Sequence, residues 1–388
     1  MAERRRALLV AATGGHLEQI SRLEGAFRPR FDEVEYATFD DAQSRSLLQG
    51  RVVHHVGYIP PRGLKQAAAA QVPAMSILRA GGYTDVISTG SAIAVPFLTA
   101  SRLLGIRSHY VESAARSEGP SLSGRMVSRV PNLFLYTQYP MWAEGRWQYR
   151  GSVFDRYTLA EQQRPFAPAT RVVVTLGTMR TYSFRRAVEA IRRHLPAVAT
   201  PDVEVLWQVG ETPVDDLPIE GRRLVPAEEL KTAIREADLV IAHAGIGSCL
   251  QILDAGRAPV LLPRRKAKGE HVDDHQRMIA LELNRRGLAI SRDPDILTET
   301  DLREAMGRSV EFGRIPVPFR LQGQGRDTWD RLDADEAAAL AFRPRDAGAS
   351  TASTASTAST ASGQPEQSVH PEQAGADESA VRVTTDPR

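Results

Sequence analysis

Two loops that lie close together in the sequence carry groups able to hold a phosphorylated sugar. The first, His243-Ala-Gly-Ile-Gly-Ser248, follows a β-branched segment and precedes an amphipathic helix pattern. Glycines let backbone N–H groups approach a phosphate, and a helix N-terminus favours negative charge. The second, Glu270-His-Val-Asp-Asp-His-Gln276, offers carboxylates, imidazoles and an amide that can bind vicinal hydroxyls. Together the loops indicate a site for a nucleotide diphosphate that carries a sugar.

Two more glycine turns end other predicted strands, Thr13-Gly-Gly-His16 and Thr175-Leu-Gly-Thr178. One such turn could be an ordinary chain reversal, but three at successive strand ends favour one shared cleft. None fits the G-x-G-x-x-G dinucleotide pattern, and the sequence holds no P-loop, which argues against NAD and ATP. His16 follows its turn directly, and an ordinary pKa of about 6.5 suits a general base. A helix-capping histidine is the alternative.

Other polar groups remain open to two interpretations. Glu112 ends a predicted strand with Arg116 four residues later, and the two could orient an acceptor or pair with each other. The His and Asp residues of loop 270–276 could bind a metal, but their spacing matches no zinc template, so we expect none. Cys249, the single cysteine, fits a reducing compartment and a packing role better than a nucleophile.

The composition excludes several classes of protein. A net charge of +2 over 388 residues gives no nucleic-acid signature, and 42% apolar residues support packed cores. The sequence has neither a signal-peptide pattern nor an apolar run long enough to cross a bilayer, so we expect a soluble or peripheral protein.

Strand and helix patterns alternate in two successive series, which predicts an α/β fold with two doubly wound, Rossmann-like domains facing a cleft. Pro73 is expected to kink or break a helix over Leu64–Leu78. Repeated Ser-Thr-Ala triplets near the C-terminus have no apolar face to bury, which predicts disorder. The predicted segments are an N-terminal domain over 1–155, a linker over 156–170, a C-terminal domain over 171–312, a helical segment over 313–343 and a disordered tail over 344–388.

These motifs resemble those of family 28 glycosyltransferases. In the second half, the segments that carry the resemblance are Val174–Thr178, Ala237–Ser248 and Lys268–Gln276. The first half is similar to the membrane-associated partner subunit of transferases of oligosaccharide and capsular polysaccharide synthesis. Its matching segments are Gly14–Gln19, Val86–Gly90 and Pro120–Gly124. The two halves look like such subunits fused into one chain.

The resemblance implies a GT-B fold and inverting, metal-independent transfer from a UDP-sugar to an acceptor hydroxyl, with no cofactor. It implies His16 as the catalytic base and a lipid-linked or saccharide acceptor near Gly14, Gly15, Glu112 and Arg116. The residues that it assigns to the donor are Thr178, Gly245, Gly247, Ser248, Gln251, Glu270, His271, Asp274, His275 and Gln276. Gln251 departs from the family, which commonly has a glutamate there for the ribose. A neutral amide accepts hydrogen bonds more weakly than a carboxylate.

The expected location is the cytoplasm, with peripheral contact to the inner face of the cell membrane through Arg4–Arg6 and the segment Arg62–Arg79. That segment fits an ordinary amphipathic core helix equally well. Two other functions are compatible with the same motifs. One is a UDP-sugar 2-epimerase or hydrolase on this fold, and the other is a non-catalytic nucleotide-sugar-binding scaffold.

Overall fold

The structure is a computed structural model that describes residues 4–28, 31–60, 63–178, 181–312 and 318–322. The predicted tail over 344–388 lies outside the described residues, as does most of the predicted helical segment over 313–343. The part of that segment that is described contains a short strand, Phe319–Arg320, and no helix.

The first half alternates strands and helices as the sequence predicts. Its strands are β1 (Arg6–Ala11), β2 (Phe27–Arg28), β3 (Glu33–Phe39), β4 (Val53–Val56), β5 (Asp85–Gly90), β6 (Arg107–Val111), β7 (Phe134–Thr137), β8 (Trp147–Tyr149) and β9 (Tyr157–Leu159). Its helices are α1 (Gly15–Leu23), α2 (Ala42–Leu47), α3 (Leu64–Ala69), α4 (Gln71–Gly81), α5 (Ala94–Leu103) and α6 (Leu122–Val127).

A seven-stranded parallel sheet, ordered β4-β3-β1-β5-β6-β7-β8, forms the centre of this half. Every residue of β1 after Arg6 is buried, as expected for a parallel strand covered on both faces. The chain moves outward one way from β1 to β4 and the other way from β5 to β8. Ligands of such sheets bind where the order reverses, which here is beyond the carboxyl ends of β1 and β5.

The second half repeats this plan. Its strands are β10 (Ala169–Thr175), β11 (Ala199–Gln208), β12 (Gly221–Arg222), β13 (Leu239–His243), β14 (Val260–Leu262), β15 (Ile290–Ser291), β16 (Val310–Phe312) and β17 (Phe319–Arg320). Its helices are α7 (Arg185–His194), α8 (Ala227–Glu236), α9 (Ile246–Asp254), α10 (His275–Arg285) and α11 (Glu299–Gly307). The parallel sheet is ordered β12-β11-β10-β13-β14-β15, so its order reverses between β10 and β13.

Two small pairings connect the late strands to earlier ones. β16 pairs antiparallel with β9, and β17 pairs parallel with β2 of the first half. The chain therefore returns to the first sheet's domain after it has completed the second sheet.

The helix predicted over Leu64–Leu78 is divided, as expected, into α3 and α4. They meet at Ala70, and Pro73 is the third residue of α4. Proline is tolerated in a first turn because the N–H groups there have no partner within the helix. Among the described residues, no helix is both long enough and apolar enough to cross a membrane.

One apolar core runs through both halves because α1 packs on α9. Leu17 of α1 and Leu250 of α9 are fully buried members of this core. Cys249 is buried beside them, and burial raises the pKa of its thiol to about 12. This supports a packing role for the cysteine, since a reactive thiol needs a lowered pKa. Each of the two helices begins at a predicted site loop, so their packing brings those loops together.

Candidate active site between the two sheets

His16 lies at the start of α1, where the first sheet reverses its order. Its Nδ1 is 2.7 Å from the carbonyl oxygen of Thr89, the second-last residue of β5, and the Thr89 hydroxyl donates to the His16 carbonyl at 2.9 Å. A carbonyl only accepts, so we assign the hydrogen to Nδ1, and the neutral ring keeps a lone pair on Nε2. Burial lowers the pKa of His16, and the charges of Arg116 and His275 lower it further against the effect of the Thr89 bond. The ring is therefore neutral at pH 7 and able to accept a proton.

The glycine loop of the second half leads directly into α9. Gly245 precedes the helix, and Gly247 and Ser248 lie partly exposed in its first turn. Among the described residues, no side chain caps this N-terminus. Its backbone N–H groups are left for an anionic ligand, which the helix dipole also favours. Thr178, exposed in the loop after β10, lies beyond the neighbouring strand end.

His243 lies between the two glycine loops of the second half. A methyl group on Gly177 would lie 2.8 Å from its Nε2, and one on Gly245 would lie under 3.0 Å from the same atom. Its Nδ1 is 3.3 Å from the Thr175 carbonyl oxygen. A side chain at either position would therefore overlap the ring, and Gly177 also has a positive φ of 86°, which favours glycine. The sequence names His243 only as the first residue of the predicted glycine loop and assigns it no role of its own, although its position between a strand end and that loop was a signal for one.

Two of the predicted sugar-binding side chains instead hold the polar loop in place. Glu270 is 6% exposed, and Arg186 of α7 donates to both of its carboxylate oxygens at 3.0 Å. Gln276 is 3% exposed, and its Oε1 accepts from the backbone N–H of Arg264 at 3.1 Å. Asp274, in contrast, is exposed. Glu270 and Gln276 therefore stabilise the shape of the loop.

His271, Asp273 and His275 form a compact cluster in the same loop. The Oδ1 of Asp273 lies against the Nδ1 atoms of both histidines, at 3.3 Å from that of His271, and these hydrogen bonds lower the pKa of Asp273. Its Oδ2 accepts from Arg116 of the first half at 3.2 Å. The three ligand atoms lie within 4.8 Å of one another, a spacing open to a metal ion, yet Arg116 already brings a positive charge to Asp273. The sequence places Asp273 in the predicted sugar-binding loop but does not name it individually as a donor residue.

Glu112 does not pair with Arg116. It is 1% exposed and accepts from the backbone N–H groups of Ser121 at 2.9 Å and Ser113 at 3.1 Å. Burial raises its pKa despite these bonds. The carboxyl group therefore holds the loop that carries Arg116, and Arg116 itself reaches across to Asp273.

Residues 171–311 match the glycosyltransferase family 28 C-terminal domain. The chain is a glycosyltransferase with a family 28 C-terminal domain. It is 26% identical over 364 residues to a UDP-N-acetylglucosamine–N-acetylmuramyl-(pentapeptide) pyrophosphoryl-undecaprenol N-acetylglucosamine transferase of Chlorobium luteolum, with 84% of this chain and 94% of that protein covered. The transferase of the same description from Salinibacter ruber is 26% identical over 365 residues, covering 85% and 93%.

A solved structure supports the fold alone. The crystal structure of the glycotransferase of kitacinnamycin covers 79% of this chain and 90% of its own, with a TM-score of 0.50 and 16% identity. The predicted α/β, GT-B architecture with two parallel Rossmann-like sheets is confirmed.

In this glycosyltransferase, α1 and α9 are joined by a polar chain that crosses between the halves. Arg22 contacts Glu18 on its own helix and donates to Asp254 of α9 at 2.9 Å. Tyr157 donates to the other oxygen of Asp254 at 2.6 Å. Glu18 also lies 3.4 Å from the Nε2 of the exposed Gln251. A carboxylate therefore lies beside Gln251, supplied by the other half of the chain.

Replacing Arg22 by methionine should lower the free energy of unfolding by about 3–5 kcal/mol, because Glu18 would keep a buried charge without its cation. Urea unfolding at neutral pH measures this. Arg45→Met is the matched control, since Arg45 pairs with Asp40 on the exposed surface and such pairs contribute little. Equal stability losses in the two variants would contradict the prediction.

Acid should destabilise the transferase partly through His243. Burial, and then the charge of Arg264, lower the pKa of this ring to about 3. Between its ordinary pKa of about 6.5 and that value, the unfolded chain binds a proton that the folded chain does not, so stability falls with falling pH by up to roughly 1.4 kcal/mol per pH unit. His243→Asn should flatten this dependence in urea unfolding series. An unchanged slope would rule the explanation out.

Proposed function

We propose that the protein transfers a sugar from a UDP-sugar to a hydroxyl group of a lipid-linked acceptor, with inversion at the anomeric carbon. The observation that supports this most is the approach of the His16 turn to the opposite half, since a methyl group on Gly15 would lie 3.8 Å from the backbone nitrogen of Gly247 at the start of α9. A neutral base on one sheet then faces an anion-binding helix N-terminus on the other. Two relatives are named as UDP-N-acetylglucosamine transferases acting on a pyrophosphoryl-undecaprenol compound. We also infer that the two halves correspond to a fused partner and catalytic subunit.

In the proposed reaction, the donor diphosphate lies at the N-terminus of α9, between the loops at Gly177 and Gly245. The sugar contacts the loop with His271 and His275. The acceptor oxygen attacks the anomeric carbon from the face opposite UDP while its proton passes to Nε2 of His16. The new C–O bond forms as the bond from carbon to the phosphate oxygen breaks. Helix N–H groups stabilise the charge that develops on the departing UDP, as a metal ion does in other enzymes.

We further propose that the α3–α4 surface contacts the cytoplasmic face of the membrane, where a lipid-linked acceptor would lie. Leu64 and Val72 expose 63% and 76% of their surface, and Lys65 and Arg79 are exposed on the same helices. Exposed apolar side chains flanked by cations suit an anionic lipid surface.

Calorimetry with a panel of UDP-, GDP- and TDP-sugars tests the donor. We expect UDP-sugars to bind most tightly. A glutamate at 251 would stand beside Glu18, so Gln251→Glu alone would place two carboxylates together and should weaken binding. The exchange Glu18→Gln with Gln251→Glu keeps one carboxylate and one amide at this position, and it should bind UDP-sugars at least as well as the natural chain.

The reaction itself is tested by following the fate of the donor. Transfer requires an acceptor, so donor alone should be consumed far more slowly than donor with a lipid-linked acceptor. Release of free sugar or of its 2-epimer from donor alone, at the full turnover rate, would favour an epimerase or hydrolase. Tight binding of a nucleotide sugar with no turnover of the donor, with or without acceptor, would favour the non-catalytic scaffold.

A further inference from the structure

Arg264, the second residue after β14, is a fully buried cation. It is 1% exposed, and its guanidinium lies 5.0 Å from the ring centre of Phe184. Its N–H groups donate only to backbone carbonyls in the described residues, those of Leu176 at 2.7 Å, Tyr182 and Ser183 at 3.1 Å and Glu270 at 3.2 Å. None of the ion pairs among the described residues includes it.

Burying a guanidinium without a bound carboxylate lowers the stability of the fold. Carbonyl dipoles satisfy its hydrogen bonds but do not neutralise its charge. Burial lowers the pKa of Arg264 only to about 10, so the group stays charged at neutral pH. The charge of Glu270 acts on Arg264 from a distance, since both carboxylate oxygens of Glu270 accept hydrogen bonds from Arg186. Among the described residues, the Arg264 guanidinium therefore has no carboxylate in direct contact with it.

The guanidinium of Arg264 lies close to the glycine loop that contains Gly177. Leu176, whose carbonyl binds the guanidinium most closely, directly precedes Gly177 and Thr178. His243, which lies between Gly177 and Gly245, has its pKa lowered by the charge of Arg264. The charge thus acts at the place where a ligand on the N-terminus of α9 would lie.

We propose that Arg264 is a positioning residue whose fixed positive charge, set behind the two glycine loops, stabilises a bound diphosphate and its departure. The inference rests on the proposed function, since it assumes that a nucleoside diphosphate binds there. Arg264 does not touch the ligand. It donates hydrogen bonds to carbonyl oxygens that include that of Leu176, and its charge lies on the side of the loop away from the ligand. Because the charge is already in place before the reaction, the protein does not need to reorganise as the diphosphate departs.

The test compares ligands that differ only in the diphosphate. Arg264→Met should weaken binding of UDP and of inorganic pyrophosphate by about 10- to 100-fold, while uridine affinity changes little, because a charge acts on the anion and not on the nucleoside. Arg171→Met is the matched control. It removes one cation at the opposite end of β10, where Arg171 pairs with Glu236, and should leave all three affinities unchanged.

The Arg264→Lys variant distinguishes the effect of the positive charge from the effect of the hydrogen bonds that the guanidinium makes to the loops. A buried lysine has a depressed pKa, so UDP affinity of this variant should fall as the pH rises from about 6 to 9 while the natural chain stays constant. Equal weakening of UDP and uridine in Arg264→Met, or a flat pH series in Arg264→Lys, would overturn the inference. If the natural chain binds pyrophosphate through Arg264 but no UDP-sugar, the inference stands and the proposed donor fails. If UDP binds equally well with and without Arg264, the proposed donor stands and the inference about Arg264 fails.

Discussion

Alanine in place of His16 should lower turnover by about 10²–10⁴-fold and leave donor affinity almost unchanged. The ring is tied to the first sheet through Thr89, so its loss removes a proton acceptor without disturbing the loops of the second sheet. Steady-state rates with donor and acceptor, together with calorimetry of donor binding, measure the two effects separately. His55→Ala is the matched control, since His55 is exposed and lies within β4, at the edge of the first sheet and away from β1 and β5.

The pH dependence gives this prediction a second readout. A base works only when unprotonated, and burial lowers the pKa of His16 below its ordinary value. The turnover rate should therefore hold constant as the pH falls through about 6.5 and decline only below it. Full transfer activity in His16→Ala would remove His16 from the mechanism.

The architecture follows from local patterns that the sequence displays directly. Runs such as Ala7–Ala11 are apolar throughout because both faces of a parallel strand are covered, and the glycine turns mark the strand ends. Periodicity does not fix where a helix divides. Only the fold shows that the Leu64–Leu78 segment breaks at Ala70, three residues before the proline that suggested a break.

The site is harder to predict because burial and partners depend on distant residues. Glu270 looks like a sugar ligand in the sequence, yet its partner Arg186 lies 84 residues away on α7. Likewise Glu18 and Gln251 meet across 233 residues. Arg264 carries no motif signal, since only its burial among carbonyls distinguishes it from the many other arginines of the chain.

Gly245→Ala should weaken donor binding by about 10- to 100-fold, through crowding of a packed site. The backbone at Gly245 is extended, with φ −77° and ψ 132°, so alanine is not excluded by conformation. The obstacle is the ring of His243, which a new methyl group would meet at under 3.0 Å. Relief of that overlap would move either the ring or the N-terminus of α9, and the helix N–H groups would lose their position against the diphosphate. Calorimetry with UDP measures the loss.

A double-mutant cycle identifies the cause. If the ring is the obstacle, Gly245→Ala should have little additional effect in a His243→Ala background, because the methyl group then has space. Gly25→Ala is the control, since a methyl group there would have no atom within 4 Å. A Gly245→Ala effect of equal size with and without His243 would show that the diphosphate, and not the ring, requires glycine at this position. In that case the loop would be shaped by direct approach of the ligand to its backbone.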